Sequence, residues 1–446
     1  MRHMRRRRLV AGSIVAGTFI ACTFSTKVSN NVEPDGPTPD AGPCMTAPSF
    51  ECADGTTLRE CMVEGAMPAE IACNWGCQTT GTRHHCGEVM PSGGGATIDD
   101  MRPTNFGNVN DVVIGAMTTI DGTAGTISTV ASGFGHTLRM GGKIAVFRVK
   151  SLTINAPVRL TGSAAIVFLA DGPIVVNAVV EAKGACGTGD NATGPGPGGF
   201  AGGLTATDNG TGTGGGTVGA MTGGGGGGGY GGTGGAGGVG AGAQPGGAGG
   251  IVVGTPTIDL LFGGAGGGAT GGAGGHARGG GGGGAVQFVS NTKIVLMSGG
   301  IDAGGCAGDS GQGGGDDGGG GGGAGGAILL EAPIIEGAGK LAVNGGGGGA
   351  GDDATEATGS QSTLNRVPAA GAQGSTSGGS GGPGAAAATY NGTKGVDDGA
   401  HAGGGGGGIG RIRLNTRTGT VAATGEMSPA LADTNSTCTA GSANVQ

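Results

Sequence analysis

This chain repeats one pattern four times: a short apolar stretch, a turn of Asn, Asp or Gly, further strand-like residues and a glycine-rich tract. The copies begin near residues 164, 284, 326 and 410, and the last copy is the most degenerate. Without its glycine tract each copy is about one solenoid coil long, and such a unit cannot bury its apolar face unless it stacks on its neighbours. The repeat therefore predicts a stack of coils rather than an ordinary globular core.

The strand pattern is clearest just before the first full copy. Over residues 147–155 apolar side chains alternate with polar ones, which is typical of strands. We expect Val149 and Ile154 to point inward. With three strands per coil, the pattern predicts an all-β fold, a right-handed parallel β-helix (β-solenoid) over residues 96–430, followed by a C-terminal tail at 431–446.

Glycine supplies 118 of the 446 residues and is concentrated in three long inserts, each after the third predicted strand of a coil. The inserts span about residues 184–284, 304–326 and 345–408. A polyglycine chain by itself behaves as a flexible coil, which would make the inserts disordered filler. Extended glycine strands can instead pack side by side in a polyproline-II-like array, because only glycine permits such close backbone approach. The sequence leaves both alternatives open.

Residues 1–22 are typical of a targeting segment. A run of arginines precedes the apolar stretch Leu9–Ala21, which is too short for a comfortable transmembrane helix. Residues 19–22, Phe-Ile-Ala-Cys, resemble the lipobox of bacterial lipoproteins, and this resemblance implies lipidation of Cys22. An ordinary secretory signal with a chance cysteine is the alternative. Residues 23–43 are rich in Pro and Asp and predict a flexible tether.

A cluster of cysteines marks a small module at residues 44–90. Its six members are Cys44, Cys52, Cys61, Cys73, Cys77 and Cys86. So short a segment cannot be stabilised by burial alone, and an even cysteine count in an exported chain predicts three disulfides, with 15 possible connectivities. Zinc is the alternative, because His84 and His85 directly precede Cys86. We expect Trp75 to form the core of this module, or else an exposed sugar-stacking surface.

Two further cysteines occupy nearly the same point of successive copies. Cys186 and Cys306 each follow the third predicted strand by a few residues. Neighbouring coils are one strand spacing apart, which is close enough for a disulfide. We therefore predict a Cys186–Cys306 bond that closes the longest insert, with two buried free thiols as the alternative. Cys438 then has no partner if Cys22 carries lipid.

Two sets of charged residues are candidates for binding. The acidic residues of the inserts, which would collect calcium or only solubilise neutral tracts, are Asp190, Asp309, Asp316, Asp317, Asp352, Asp353, Asp397 and Asp398. The basic residues expected to face outward on the first coils, where they would hold acidic glycans or simply be solvated, are Arg139, Lys143, Arg148, Lys150 and Arg159. A scaffold should tolerate Arg148→Ala and Lys150→Ala. We assign no metal and no cofactor.

Other activities have weaker support in the sequence. The net charge of −8 gives no reason to expect nucleic acid as a partner. His136, His276 and His401 have no catalytic partner at a recognisable spacing, and the glycine tracts lack the Lys-Ser or Lys-Thr of a phosphate loop. We therefore identify no catalytic residue. Parallel β-helices include polysaccharide lyases and glycosidases, so a carbohydrate-binding or polysaccharide-cleaving protein remains the alternative function.

The whole arrangement resembles a class of glycine-rich, parallel β-helix cell-surface lipoproteins of the myxobacterial type, most specifically at residues 144–154 and 325–333. The resemblance implies an exported, lipid-anchored protein of the outer membrane or cell surface, with a secreted or periplasmic protein as the alternative. The partners implied are the membrane, through the lipid anchor, and extracellular polysaccharide or other envelope components. It favours a non-enzymatic structural, adhesive or matrix-contact role.

Overall fold

The structure is a computed structural model, and it describes residues 42–101, 106–187, 193–271, 276–311, 317–351 and 358–446. The chain divides into two compact units. Among the described residues, the smaller unit comprises 42–48 with Cys61–Pro68, and the larger comprises Ser49–Glu60 with those of Ala69–Gln446. The predicted signal peptide, Cys22 and the tether as far as residue 41 lie outside the described residues.

In the smaller unit a disulfide joins Cys44 to Cys61. Two backbone hydrogen bonds converge on the same place: Cys44 N donates to Ala66 O over 2.8 Å, and Gly65 N donates to Cys44 O over 2.9 Å. Covalent and backbone bonds thus stabilise a segment whose large apolar side chains, such as Met45, Met62 and Met67, are exposed.

Five short strands lie in the cysteine-rich part of the chain. These are β1 (Ser49–Cys52), β2 (Thr57–Cys61), β3 (Ala69–Ala72), β4 (Cys77–Thr80) and β5 (Arg83–Cys86). The first three form a sheet in the order β1-β2-β3, and β4 and β5 form an antiparallel pair. Disulfides Cys52–Cys77 and Cys73–Cys86 join these pieces.

Three further sheets contain the other strands. The first sheet has the order β25 (Cys438–Ser442), β22 (Arg411–Thr416), β19 (Ala327–Glu331), β16 (Ala285–Ser290), β13 (Ala165–Ala170), β10 (Ile144–Val149), β9 (Gly135–Arg139). The second has β23 (Ala422–Ala423), β20 (Ile334–Gly337), β17 (Lys293–Leu296), β14 (Ile174–Val176), β11 (Ser151–Ile154), β6 (Asp111–Ile114). The third has β24 (Met427–Ser428), β21 (Lys340–Ala342), β18 (Gly300–Asp302), β15 (Val179–Glu181), β12 (Val158–Thr161), β7 (Thr118–Asp121), β8 (Thr126–Ile127).

From β10 onward the chain visits the first, second and third sheets in turn, and it does so five times. Consecutive visits pair in parallel, as β10 with β13, β13 with β16 and β16 with β19. Only β9 and β8, at the N-terminal edges, pair antiparallel with their neighbours among these sheets. The repeat that is visible in the sequence is therefore the repeat of the parallel strands.

Parallel pairing in register stacks equivalent side chains in columns. One column of the first sheet is Phe147, Phe168, Phe288, Leu330 and Leu414. Its first two rings are stacked with centroids 5.1 Å apart, and the next pair is edge-on at 5.8 Å. Side chains from all three sheets meet in one hydrophobic core, which includes the predicted inward residues Val149 and Ile154.

The first sheet is also covered on its other face, which we call its outer face. The outer-face residues Ile144, Val146 and Leu329 belong to a second apolar cluster. That cluster brings in Trp75 from the cysteine-rich region and Tyr230 from the first glycine insert. Because both faces are buried, β10, β13 and β16 are buried along their whole length.

The glycine inserts are ordered throughout the ranges that the structure describes, and we call these parts of residues 184–284, 304–326 and 345–408 the glycine array. Three of its segments are linked cyclically by backbone hydrogen bonds that recur every three residues. The bonds are Gly225 N to Gly319 O (2.9 Å), Gly228 N to Gly322 O (2.9 Å), Gly322 N to Gly405 O (2.8 Å), Gly325 N to Gly408 O (2.9 Å), Gly405 N to Gly225 O (2.9 Å) and Gly408 N to Gly228 O (2.8 Å). A three-residue period is that of the polyproline II helix.

Residues 438–442, which the sequence assigns to a C-terminal tail, are a strand of the first sheet. This strand, β25, pairs in parallel with β22, and Cys438 lies opposite Ile412. Beyond it, Gln446 N donates to Glu88 O over 2.9 Å. The sequence did not predict this strand, because Cys-Thr-Ala-Gly-Ser has too few apolar residues to indicate one.

Candidate functional site

All eight cysteines that the sequence singles out are paired. The disulfides are Cys44–Cys61, Cys52–Cys77, Cys73–Cys86 and Cys186–Cys306. The last closes a sequence separation of 120 residues. Sulfur atoms in disulfides are not the thiolates that a zinc ion requires, and several disulfides are typical of an exported or extracellular protein.

Cys438 is the one free cysteine in the described part of the chain, and it is buried in the core. Burial raises the pKa of its thiol to about 12. Because only the thiolate reacts with alkylating agents, we expect Cys438 to resist iodoacetamide at pH 8 in the folded protein and to react fully in guanidinium chloride. Peptide mapping by mass spectrometry would measure this, and labelling of Cys438 without denaturant would contradict its place in the core.

The prediction that Arg148 belongs to an exposed basic surface is wrong. This residue is fully buried on the outer face of the first sheet, where its guanidinium forms an ion pair with Asp171. It also donates to Val149 O over 2.9 Å and to Met101 O over 2.6 Å. Strand alternation correctly separates Arg148 from the core, but the face it lies on is covered by other parts of the chain.

The other four basic residues do not form one stripe. Lys150 is exposed, 3.5 Å from Asp111, while Arg139 pairs with the buried Asp100. Arg159 lies on the third sheet and donates to Gly184 O over 3.2 Å. Most of this positive charge is therefore used in internal contacts on different sheets.

The acidic residues of the inserts that the structure describes also have contacts within the chain. Asp397 accepts a hydrogen bond from Val239 N over 2.7 Å and pairs with Lys394, while Asp398 accepts one from Ala400 N over 2.8 Å. Asp309 and Asp317 are buried, and Asp190, Asp316, Asp352 and Asp353 lie outside the described residues. Within the described ranges, no group of three His, Cys, Asp or Glu side chains is placed to hold a metal ion.

Trp75 and His136 also have structural contacts. Trp75 is buried, and its indole Nε1 donates to Asn291 Oδ1 over 3.3 Å. This position is not an exposed sugar-stacking surface. His136 lies 3.0 Å from Gly122 O through Nε2 and packs on Phe147 with ring centroids 4.9 Å apart.

One cluster of ionisable groups on the third sheet was not predicted. Glu181 and Asp302 are directly opposite on β15 and β18. Lys183 Nζ lies 3.2 Å from Asp302 Oδ2 and 4.0 Å from Glu181 Oε1. Burial raises the pKa of Asp302, although the Lys183 ammonium acts in the opposite direction. A carboxyl group with a raised pKa beside a second carboxylate is what a glycosidase would need.

The burial of Asp302 prevents a substrate from reaching this cluster in the conformation observed. Asp302 is only 3% exposed, and its Oδ1 already accepts a hydrogen bond from Gly304 N over 3.1 Å. A later part of the array lies against this region, since Ala307 N donates to Gln361 Oε1 over 2.8 Å. A sugar ring could not reach Asp302, so the cluster is best described as an internal ion pair at the base of an insert.

A second unpredicted network surrounds Glu331 on the outer face of the first sheet. The fully buried carboxylate accepts hydrogen bonds from Gln287 Nε2 (2.6 Å) and Asn415 Nδ2 (3.0 Å) on neighbouring strands. It also accepts bonds from the backbone N (3.0 Å) and Oγ (2.7 Å) of Ser92. Burial raises the pKa of Glu331 despite these donors. The network ties the segment after the cysteine-rich strands to three strands of the sheet.

We expect Glu331→Gln to lower the free energy of unfolding by about 2 kcal/mol, because the new amide would direct N–H groups at donors and leave a buried donor unpaired. Since the folded-state pKa is raised, the contribution of Glu331 is largest below its ordinary pKa and is lost as pH rises through the folded-state value. Chemical denaturation from pH 4 upward should therefore show that the difference in unfolding free energy between wild type and variant becomes smaller as pH rises. A gap that widens would contradict this assignment.

None of the helical segments in the described ranges has the length and hydropathy to traverse a bilayer. No family model matches the chain, and no curated protein or solved structure is significantly similar to it. Functional conclusions must therefore come from the geometry of this chain.

Proposed function

We propose that this protein is a non-enzymatic, lipid-anchored structural protein of the bacterial envelope surface. In this proposal residues 96–442 form a right-handed parallel β-helix that carries the glycine array, and Cys22 bears the lipid. Its role is to present a stiff surface for adhesion, matrix contact or coat formation.

The observation that carries the proposal is the glycine array itself. Its segments are joined by backbone hydrogen bonds between residues far apart in sequence, such as Gly225 N to Gly319 O at 2.9 Å. Glycines at this packing have no side chains with which to do chemistry, so their contribution is mechanical. The disulfide between Cys186 and Cys306 adds a covalent link at the point where two inserts begin.

Two other observations support the β-helix and the structural role. The order in which the chain visits three parallel sheets is that of a three-sided coil. The charged groups of Arg148, Lys183 and Glu331 have partners within the chain, which favours rigidity over recognition by these groups.

The location is tested by digesting intact and broken cells with a protease, followed by mass spectrometry of the mature N-terminus. We expect cleavage in intact cells and a lipidated Cys22. A Cys22→Ser variant is the matched control, because it keeps the folded region but loses the anchor and should appear in the medium or periplasm. Protection in intact cells, or a mature N-terminus without lipid, would contradict a surface lipoprotein.

A further inference from the structure

A cavity of about 330 Å³ lies between the start of β10, the first glycine insert and the segment 253–265. It belongs wholly to the larger unit and is separate from the ion pairs described above. The lining residues that matter are Lys143, Phe200, Tyr230, Leu260 and Phe262.

The walls of the cavity are mainly apolar and aromatic. The rings of Phe200 and Phe262 have centroids 6.2 Å apart, and those of Tyr230 and Phe262 are 5.1 Å apart. Gly199 and Gly214 complete the lining with backbone atoms. Aromatic pairs prefer such separations, so these walls suit a ring.

Tyr230 has a polar group without a partner. The residue is 1% exposed, yet its hydroxyl makes no hydrogen bond with any of the residues that the structure describes. The hydroxyl oxygen is not itself a fully buried unpaired atom, so a water molecule or a ligand can reach it. A hydroxyl that lines a cavity is available to donate to a ligand.

Positive charge at the site also lacks an anion. Lys143 is exposed at the cavity and forms no ion pair within the described ranges. The buried Arg411 lies over the Tyr230 ring at 5.7 Å, and its hydrogen bonds go to the carbonyl oxygens of Val253 and Gly254. Lys143, a cation at the cavity without a carboxylate partner in the described ranges, favours an anionic ligand.

We propose that this cavity binds an aromatic monocarboxylate. The ring packs among Phe200, Phe262 and Tyr230, while the Tyr230 hydroxyl and the Lys143 ammonium recognise the carboxylate. A sugar would need more polar partners than this lining offers.

The test is a titration of the mature full-length protein with 2-naphthoate, followed by the fluorescence of the ligand, with 2-naphthalenemethanol as the uncharged probe of matched size. We expect naphthoate to bind at least about tenfold more tightly than the alcohol. Tyr230→Phe and Lys143→Gln should each weaken naphthoate binding about 10–100-fold, as expected for one hydrogen bond to a charged group.

Lys150→Gln is the control, because it removes an exposed lysine elsewhere and should leave the affinity unchanged. Thermal unfolding of each variant establishes that the fold is intact before affinities are compared. The proposal is overturned if naphthoate does not bind to the folded wild type. It is also overturned if naphthoate and the alcohol bind equally, or if the Tyr230 and Lys143 variants bind like wild type.

Discussion

Gly405→Ala should destabilise the glycine array severely, lowering the free energy of unfolding by about 3 kcal/mol or more. A Cβ atom at this position would lie 2.6 Å from the carbonyl carbon of Gly235 and would overlap its oxygen. The neighbours that would have to move are backbone atoms, and Gly235 is itself held by a hydrogen bond from its N to Gly406 O at 2.8 Å. No side-chain rotation can relieve the overlap, so two neighbouring segments must separate.

Gly399→Ala is the matched control in the same insert. A Cβ there would meet nothing within 4 Å, and the residue is exposed. Denaturant unfolding should show little change for Gly399→Ala and a large loss, or a separate early transition, for Gly405→Ala. Equal stability of the two variants would mean that the array is not packed as described.

Arg148→Ala should lower the free energy of unfolding by about 3–4 kcal/mol, since it removes a fully buried side chain together with the hydrogen bonds that its guanidinium donates. The substitution would leave the carbonyl oxygens of Met101 and Val149 without their donor, and Asp171 without its cation. It would also create a cavity on the outer face of the first sheet. This expectation reverses the tolerance that the sequence predicts for the same change.

Lys150→Ala tests whether burial, rather than the loss of a positive charge, explains such a loss of stability. Lys150 is basic and only two residues away, but its side chain is 63% exposed and lies 3.5 Å from Asp111. Exposed ion pairs contribute about 0–1 kcal/mol, so this variant should unfold nearly like wild type in urea. If both variants were equally mild, Arg148 would have to be a surface residue, contrary to its burial.

The repeated strands could be predicted because in-register stacking imposes one pattern on successive copies. Phe168 and Phe288 occupy the same place in their copies, and the structure pairs them on β13 and β16. The equivalence of Cys186 and Cys306 is visible for the same reason. Residues at equivalent places in successive copies are therefore the residues that pair in parallel, and this can be read from the repeat.

The covering of the first sheet could not be predicted in this way. Arg148 is buried because Met101 and neighbouring residues, from a different part of the chain, lie over the face that it occupies. Ser92 reaches Glu331 across 239 residues, and no periodicity reports such a contact. The order of the glycine tracts is equally non-local, since each hydrogen bond joins segments that look identical in sequence.

The candidate ligand cavity could not be predicted from the sequence either, because its residues come from separate parts of the chain. Tyr230 lies within a tract of glycine, and nothing nearby indicates that Phe200 and Phe262 approach it. Lys143 was noted only as one member of a basic set. The sole sequence signal was the rarity of aromatic residues, 3% of the chain, which makes three of them in one long insert noteworthy.

The most direct test of this account is amide hydrogen exchange, read out at residues 223–238 and 402–410 and compared with β13. In the structure these glycine amides donate to backbone oxygens inside a buried array, for example Gly228 N to Gly322 O at 2.9 Å. We predict protection comparable with that of β13, which is buried along its whole length. Exchange at the rate of an unstructured peptide in these segments would contradict the ordered array and with it the structural role.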